Sequence, residues 1–496
     1  MAQSKTPPAA AARGTAGGDV WTQLRTRVEQ CLRQFEQRPP TPVAVYALEQ
    51  ELQAAFDAAG RALLAETFHR GEPAAKDQAA PRVRYHKQAY RINKRTPAEV
   101  ATSFGPITLW SWLYLCAEDG EPGLHPLHVR LGIGAGGATP LLAERVARRA
   151  VEDSQQAVRQ WLAAEHALHW SNDRLRRVLR TFRHTVVAFR AEAQQERLLG
   201  WLAVAQRSRG RHRPVLSVGR DGVMVPMRGH GYQEASAATV TVYDRRGQRL
   251  GTVYLGQMPE AHQATLSDDL TALVTAVLER WRGPWPRLVY VTDKGQAPDD
   301  YYRRVLRRLP HPRQPGQRLS WEWVLDFFHV AGYLGKLREA LFGAGGHGWF
   351  RRMRHWLRER VQGVAHILRS AVQHYNQQPR PKAAQEAFWQ AYRYLRRHRR
   401  WMDYARYRRL GLPIGSGVTE AACKTVFTQR FKRAGMRWQK ESGQVILDLR
   451  VVHLSGIWTE VVRRDLQARP LPETVSSLAQ LQGVIGLYLA SFDRTT

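Results

Sequence analysis

Apolar residues follow two rhythms along this chain, helical spacing towards the ends and strand-like runs in the middle. Between Val20 and His69, Leu24, Val28, Cys31, Leu32 and Phe35 recur every three or four positions, then Pro39, Pro40 and Pro42 intervene. A second helical stretch runs from about Val43 to His69. The pattern predicts a helical hairpin at 20–69, read as an arm or a dimerisation element. Residues 70–81 are polar and rich in Gly, Pro and Ala, a linker. Arg82–Leu115 alternates, as in ITLWSWLYL, which predicts short antiparallel strands in a small β-rich domain at 82–138. Trp110, Trp112 and Tyr114 share one strand face and are read as sheet core or dimer contact rather than base-stacking residues. Thr139–Phe182 then holds three helical segments, with Pro140 in a first turn and Ser154 and Ser171 as N-caps.

The middle of the chain changes period. Pro214–Met227, PVLSVGRDGVMVPM, is an apolar run, a Gly-Arg-Asp-Gly break and a second apolar run. Alternating residues around Asp244-Arg245-Arg246-Gly247 predict a β-hairpin. His262–Trp281 is an amphipathic helix carrying Leu266, Leu270, Leu273, Val277 and Leu278. Arg287–Asp293, RLVYVTD, is another buried-strand pattern, as expected for parallel strands covered on both faces. A helix at Pro298–Leu309 and a strand at Trp321–Phe327 follow. The stretch from Asp293 to Glu420 is too long for one strand-to-helix connection. Residues 335–410 are strongly helical and are expected to form an inserted helical domain. Gly415-Ser416-Gly417 then feeds a helix with Glu420 near its first turn, where the helix dipole favours a carboxylate. A last helix is expected around Val475–Phe492.

Three acidic residues stand out in this layout. Asp221 lies at the break of the first run, Asp293 ends the second, and Glu420 opens a helix. A carboxylate on a sheet strand is costly unless it is paired or holds a metal. Ligands also gather at the carboxyl ends of parallel strands. Two strand-end carboxylates and one helical one can hold two divalent ions for in-line attack on a phosphodiester. Each has a bland alternative: Asp221 and Asp293 as turn formers beside glycines, Glu420 as an exposed helix residue.

The order Asp221, Asp293, Glu420 resembles that of the DDE transposases with an RNase H-like fold. IGSGVTEAACKT followed by RFKRAGMRW, around Glu420, resembles bacterial insertion-sequence transposases of the ISKra4 type. By eye the resemblance runs from about Pro81 to Arg463. It implies a multidomain α+β or α/β chain whose RNase H-like mixed-sheet core, at 211–334 and 411–463, is interrupted by the helical insertion at 335–410. It also implies an activity: cleavage of phosphodiesters at transposon ends and transfer of the freed 3′-hydroxyl into target DNA. Asp221 would be the bridging ligand of two magnesium or manganese ions, with Asp293 and Glu420 each holding one side. An RNase H-like nuclease without strand transfer and a non-catalytic DNA-binding derivative are the competing readings. Asp326 and His329, in Asp326-Phe327-Phe328-His329, have a D-x-x-H spacing that resembles a signature of Mutator-like and related transposases; they either position DNA or tune the site, or His329 simply caps or hydrogen-bonds near the helix start. Lys424 either meets the scissile phosphate or pairs with Glu420 at i,i+4.

Composition adds the partner. The 496 residues carry 75 Lys plus Arg against 43 Asp plus Glu, a formal charge of +32. Nucleic acid is the most economical partner for such an excess, because phosphate neutralisation releases counterions. Double-stranded DNA, as terminal inverted repeats and as target, is the expected ligand. Arg174, Arg177 and Arg180, on the last helix of a helix-turn-helix-like segment at 139–200, are candidate DNA contacts, with a plain solvated helix face as the alternative. Arg430, Lys432, Arg433 and Arg437 form a second basic run. A homodimer or larger assembly is expected on functional grounds alone, since two ends must be joined. Cys31, Cys116 and Cys423 are far apart and form no C-x-x-C pair; related transposases carry one near Cys116, where this chain reads Cys-Ala-Glu-Asp, so no zinc is expected. Residues 1–19 lack an apolar secretory core and read as a disordered tail, 464–496 read as a helical tail, and no run approaches the ~18 continuous apolar residues of a membrane span. A cytoplasmic, nucleoid-associated protein is therefore expected.

Overall fold

The computed structural model describes residues 16–116, 122–293 and 295–474. The N-terminal tail up to residue 15 and the helix expected around Val475–Phe492 lie outside the described residues, as does Lys294. The chain forms two compact units, Met1–Thr185 with Val462–Thr496, and Val186–Val461.

The first unit begins with α1 (Ala16–Glu36) and α2 (Pro42–Arg70). The Thr41 hydroxyl accepts from the Ala44 N–H, and Pro42 occupies the first turn, so the proline run that ends one helix starts the next. The strands β1 (Arg82–Tyr85), β2 (Gln88–Thr102) and β3 (Gly105–Cys116) are antiparallel neighbours. Trp112 and Tyr114 pack in a cluster with Val83 and Tyr90, the core role their alternation indicated. After α3 (Pro126–Arg130) come α4 (Pro140–Glu152), α5 (Gln155–His166) and α6 (Asn172–Arg207). Ser154 and Ser171 cap α5 and α6, their hydroxyls accepting from Ala157 N and Arg174 N. The last helix extends well past the expected end near Phe182, because no Gly or Pro breaks its apolar stripe before Gly200.

The second unit is built on a five-stranded sheet with strand order β6-β5-β4-β7-β8. Its strands are β4 (Val215–Met227), β5 (Gly231–Tyr243), β6 (Arg249–Gln257), β7 (Arg287–Thr292) and β8 (Trp321–Leu325). The first three form an antiparallel meander. β7 then lies parallel to β4, and β8 parallel to β7. The Asp244 turn closes as its residues predict: its carboxylate accepts from Arg246 N and Gln248 N, and Gly247 takes φ 82°.

Helices cover both faces of this sheet. One face carries α7 (Ala264–Arg280), the later part of α6 and α8 (Gln296–Arg304). The other carries α9 (Phe327–Phe342), α10 (His347–Glu359), α11 (Gly363–Tyr375), α12 (Lys382–His398) and α13 (Tyr404–Arg409). Residues 335–410 are helical as expected. They do not close on a core of their own: Val215, Val289, Val291, Val324 and Leu325 from the sheet share one apolar cluster with Leu337, Met353, Ile367, Phe388 and Tyr404.

The chain then returns along α14 (Gly417–Ala422), a π-helical turn (Cys423–Thr428), the short α15 (Gln429–Phe431) and α16 (Lys440–Leu454). It ends in α17 (Trp458–Ala468) and β9 (Glu473–Thr474). β9 belongs to the first unit and pairs with β1 at the edge of the order β3-β2-β1-β9. Among the described residues no helix is long and apolar enough to cross a membrane.

Candidate functional site

Gly-Arg-Asp-Gly does not break β4. Pairing with β5 is continuous from Val215 to Met227, and Asp221 sits mid-strand opposite Ala237. The parallel pairing with β7 stops at Gly219, opposite Val291. Asp221 therefore lies just beyond the point where β4 loses its neighbour on that side. Asp293 directly follows the last residue of β7. The carboxyl end of this parallel pair thus carries both aspartates.

The glycines serve closeness rather than turning. A Cβ on Gly219 would stand 2.0 Å from Oγ1 of Thr419, and one on Gly222 would stand 1.8 Å from the Glu234 carboxylate. The bare backbone at Gly219 lets α14 lie directly on the sheet. Thr419 Oγ1 is 2.9 Å from Thr239 Oγ1 on β5, which fixes the helix there. Glu420 is the next residue along.

The Glu420 carboxylate accepts from the Ser416 hydroxyl at 2.6 Å. The same hydroxyl lies 3.0 Å from Oδ2 of Asp326. One hydroxyl hydrogen can serve only one of these carboxylates at a time. Asp326 is fully buried and also accepts the backbone N–H groups of His329 and Ser416. It caps α9 and, through Ser416, ties the start of α14 to the end of β8. Asp326, rather than His329, is the cap, and it reaches Glu420 through one hydroxyl. His329 is exposed, its ring 5.5 Å from Tyr333 and 6.0 Å from Tyr394, and those two tyrosines stack at 3.6 Å.

Asp221 accepts from Gly222 N at 2.8 Å and from Cys423 Sγ at 3.4 Å. Its carboxyl is pushed up to about 6, first by burial, then by the charge of Asp293 and more weakly of Glu420; the two donors offset part of this. Burial and the Asp221 charge hold the Cys423 thiol protonated far above its ordinary range, so it serves as an S–H donor rather than a thiolate. Among the described residues no three acidic, histidine or cysteine side chains are close enough to surround one ion as they stand. The charges of Asp293 and Glu420 nonetheless both register at Asp221. The donors on offer are hard carboxylate oxygens, the set that magnesium or manganese takes. In donor chemistry, though not in distance as they stand, the residues fit such ions.

The other expected site residues divide. Lys424 is exposed and makes no ion pair with Glu420 among the described residues. Lys432, Arg433 and Arg437 are exposed, whereas Arg430 is only 1% exposed. Its guanidinium lies 5.1 Å over the Trp438 ring, with Nη1 3.6 Å from the Met436 sulfur. Arg430 is thus a core residue and not a surface contact, because it falls on the buried stripe of Val426, Phe427 and Phe431. In the first unit Arg177 and Arg180 are exposed. Arg174 is turned inward, donating to Glu99 at 2.6 Å and to the Gly136 carbonyl at 2.9 Å.

Sequence reasoning missed Ser416 as the link between two carboxylates and Cys423 as a donor to Asp221. It also missed Tyr394, whose hydroxyl is raised by burial and by Tyr333, Asp293 and Asp326. Ser416 had a visible signal, four residues before Glu420 in one helical turn. Tyr394 had none, because it comes from a distant helix. No family model matches the chain, and no curated protein is significantly similar to it.

Proposed function

We propose that the chain is a DDE-type DNA transposase with an RNase H-like catalytic core, cleaving phosphodiesters at element ends and joining the freed 3′-hydroxyl to target DNA. The observation that carries this reading is the position of Asp221 and Asp293 at the carboxyl end of the parallel strand pair, with the helix of Glu420 seated against the Asp221 strand at Gly219 and Thr419. The strand order β6-β5-β4-β7-β8, an antiparallel meander joined to two parallel strands, is the arrangement the RNase H-like reading requires. The net charge of +32 supports a polyanionic substrate.

Asp221, Asp293 and Glu420 would hold two divalent ions. Such ions lower the pKa of bound water and stabilise the attacking and leaving oxygens of an in-line displacement. The chain's own contribution is positional. Cys423 and the Gly222 N–H hold the Asp221 carboxylate, Ser416 holds Glu420, and Asp326 holds Ser416. The Asp221 and Glu420 carboxylates are thus oriented from behind before substrate arrives.

The test is cleavage and strand transfer on DNA carrying the element's own ends, with magnesium or manganese, against Asp221→Asn. End cleavage followed by joining, both lost in the variant, is the expected result. Cleavage without joining would make the chain a nuclease. Binding without cleavage under either ion would make it a DNA-binding derivative.

A further inference from the structure

An open pocket of about 680 Å³ in the second unit is lined by Arg393, Arg396, Arg397, Arg399 and Arg400. Its origin is local. Positions 393, 396, 397 and 400 recur at i, i+3, i+4 and i+7, one face of α12 and of the 3₁₀ turn Arg399–Trp401 that extends it. All five side chains are exposed. Arg406 and Arg408, nearby in sequence, are paired with Glu322 and Glu359. None of the five is in an ion pair among the described residues. Arg393 donates to the Trp389 carbonyl at 3.0 Å, and the Arg400 guanidinium lies 3.9 Å over the Trp401 ring.

Five guanidinium groups around one pocket repel each other. The helix C-terminus favours one or two cations, and its influence fades within a turn. The remaining charge calls for an external anion. Guanidinium is the side chain best suited to phosphate, since its planar fork binds two oxygens together. The pocket is also open and its arginines follow one another along a helix face, which suits a polymer with repeated phosphates.

The adjoining face of the same helix leads to the carboxylates. It carries Tyr394 and His398, whose rings lie 4.7 Å apart. Tyr394 stacks on Tyr333, and both rings approach His329, three residues after the buried Asp326. The helix that carries the arginine face thus also carries Tyr394, whose hydroxyl feels the charges of Asp293 and Asp326.

We propose that this pocket binds the sugar-phosphate backbone of duplex DNA flanking the bond that reaches Asp221, Asp293 and Glu420. It holds the duplex without reading its sequence, as backbone contacts do. The inference rests on the transposase reading for its ligand but not for its test, which involves no chemistry.

The test is equilibrium binding of the full chain to a short DNA duplex of unrelated sequence, in chelator, over a series of salt concentrations. Arg396→Gln/Arg397→Gln/Arg399→Gln removes three exposed charges that make no ion pair or ring contact among the described residues. Arg351→Gln/Arg352→Gln/Arg369→Gln removes as many exposed charges elsewhere in the same helical layer. The slope of log affinity against log salt is expected to flatten by about 2–3 in the pocket variant and by less than about 1 in the control. An unchanged slope in the pocket variant, or an equal flattening in both, would overturn the proposal. Failure of the chemistry shows separately, as cleavage that survives Asp221→Asn, and leaves this slope comparison intact.

Discussion

Gly219 and Thr419 meet so closely that a Cβ on the glycine would stand 2.0 Å from the threonine hydroxyl. That contact seats the helix bearing Glu420 on the strand bearing Asp221. Gly219→Ala is therefore expected to push α14 away from the sheet. Overpacking of this kind costs about 1–3 kcal/mol. Denaturant unfolding would measure the loss of stability, and end cleavage should fall with it. Adding Thr419→Ala to Gly219→Ala removes the clashing hydroxyl and should recover part of the stability. If Gly219→Ala alone is neutral, α14 is not held at this point.

Ser416 is the second seat. Its hydroxyl is shared between Glu420 and Asp326, while its backbone N–H is given to Asp326 alone. Ser416→Ala keeps the backbone bond to Asp326 and removes the hydroxyl that Glu420 and Asp326 share. Loss of such an orienting partner typically costs 10–100-fold in metal affinity or activity. The expected result is a higher divalent-ion concentration for half-maximal cleavage with nearly unchanged unfolding. Asp326→Asn should behave differently, placing an amide donor against backbone donors in a fully buried position. A destabilisation of about 1–3 kcal/mol is expected there. Equal behaviour of the two variants would show that Ser416 acts on the fold and not on Glu420.

Cys423 is buried, with its thiol 3.4 Å from the Asp221 carboxylate and held protonated. An S–H donor of this kind reacts slowly with alkylating agents. Peptide mapping after alkylation of the folded protein at pH 8 should find Cys423 spared and the partly exposed Cys116 modified. Rapid modification of Cys423 would show a thiolate, and Asp221 would then lack its donor.

The periodicity of this chain made most elements legible, and the failures have physical reasons. The Asp244 hairpin, the caps at Ser154 and Ser171, the strand that carries Asp221 and the strand that precedes Asp293 follow from turn chemistry and apolar runs. Gly219 and Gly222 were read as punctuation because glycine serves turns and close approach alike; only the partners Thr419 and Glu234 decide between them. Arg430 was read as a surface cation by its charge, although its position on the stripe of Val426, Phe427 and Phe431 was visible. Charge outweighed phase in that reading, and an aromatic and a sulfur neighbour made burial tolerable. The pairing of Ser416 with Asp326 depends on β8 and α14 meeting in space, which no local pattern encodes.

The carboxyl of Asp221, pushed up to about 6 by burial and by Asp293, makes pH a probe of the whole constellation. An unfolded aspartic acid titrates near pH 4, so the folded state binds this proton more tightly than the unfolded one. The sign follows directly. Asp221 contributes stability that is fully present below about pH 4 and is lost as pH rises through about 6. In chelator, then, the melting temperature should carry a component that falls between about pH 4 and pH 6, and Asp221→Asn should abolish it. Cleavage should run the opposite way, rising around pH 6 as the carboxylate becomes charged. Magnesium or manganese should raise the melting temperature more at pH 8 than at pH 5, because a cation competes with the proton for the same oxygens. Because the three carboxylates interact, the observed midpoints belong to the group rather than to Asp221 alone. A melting temperature whose pH dependence is identical in wild type and Asp221→Asn would mean that Asp293 and Glu420 do not act on Asp221, and the site would be lost with it.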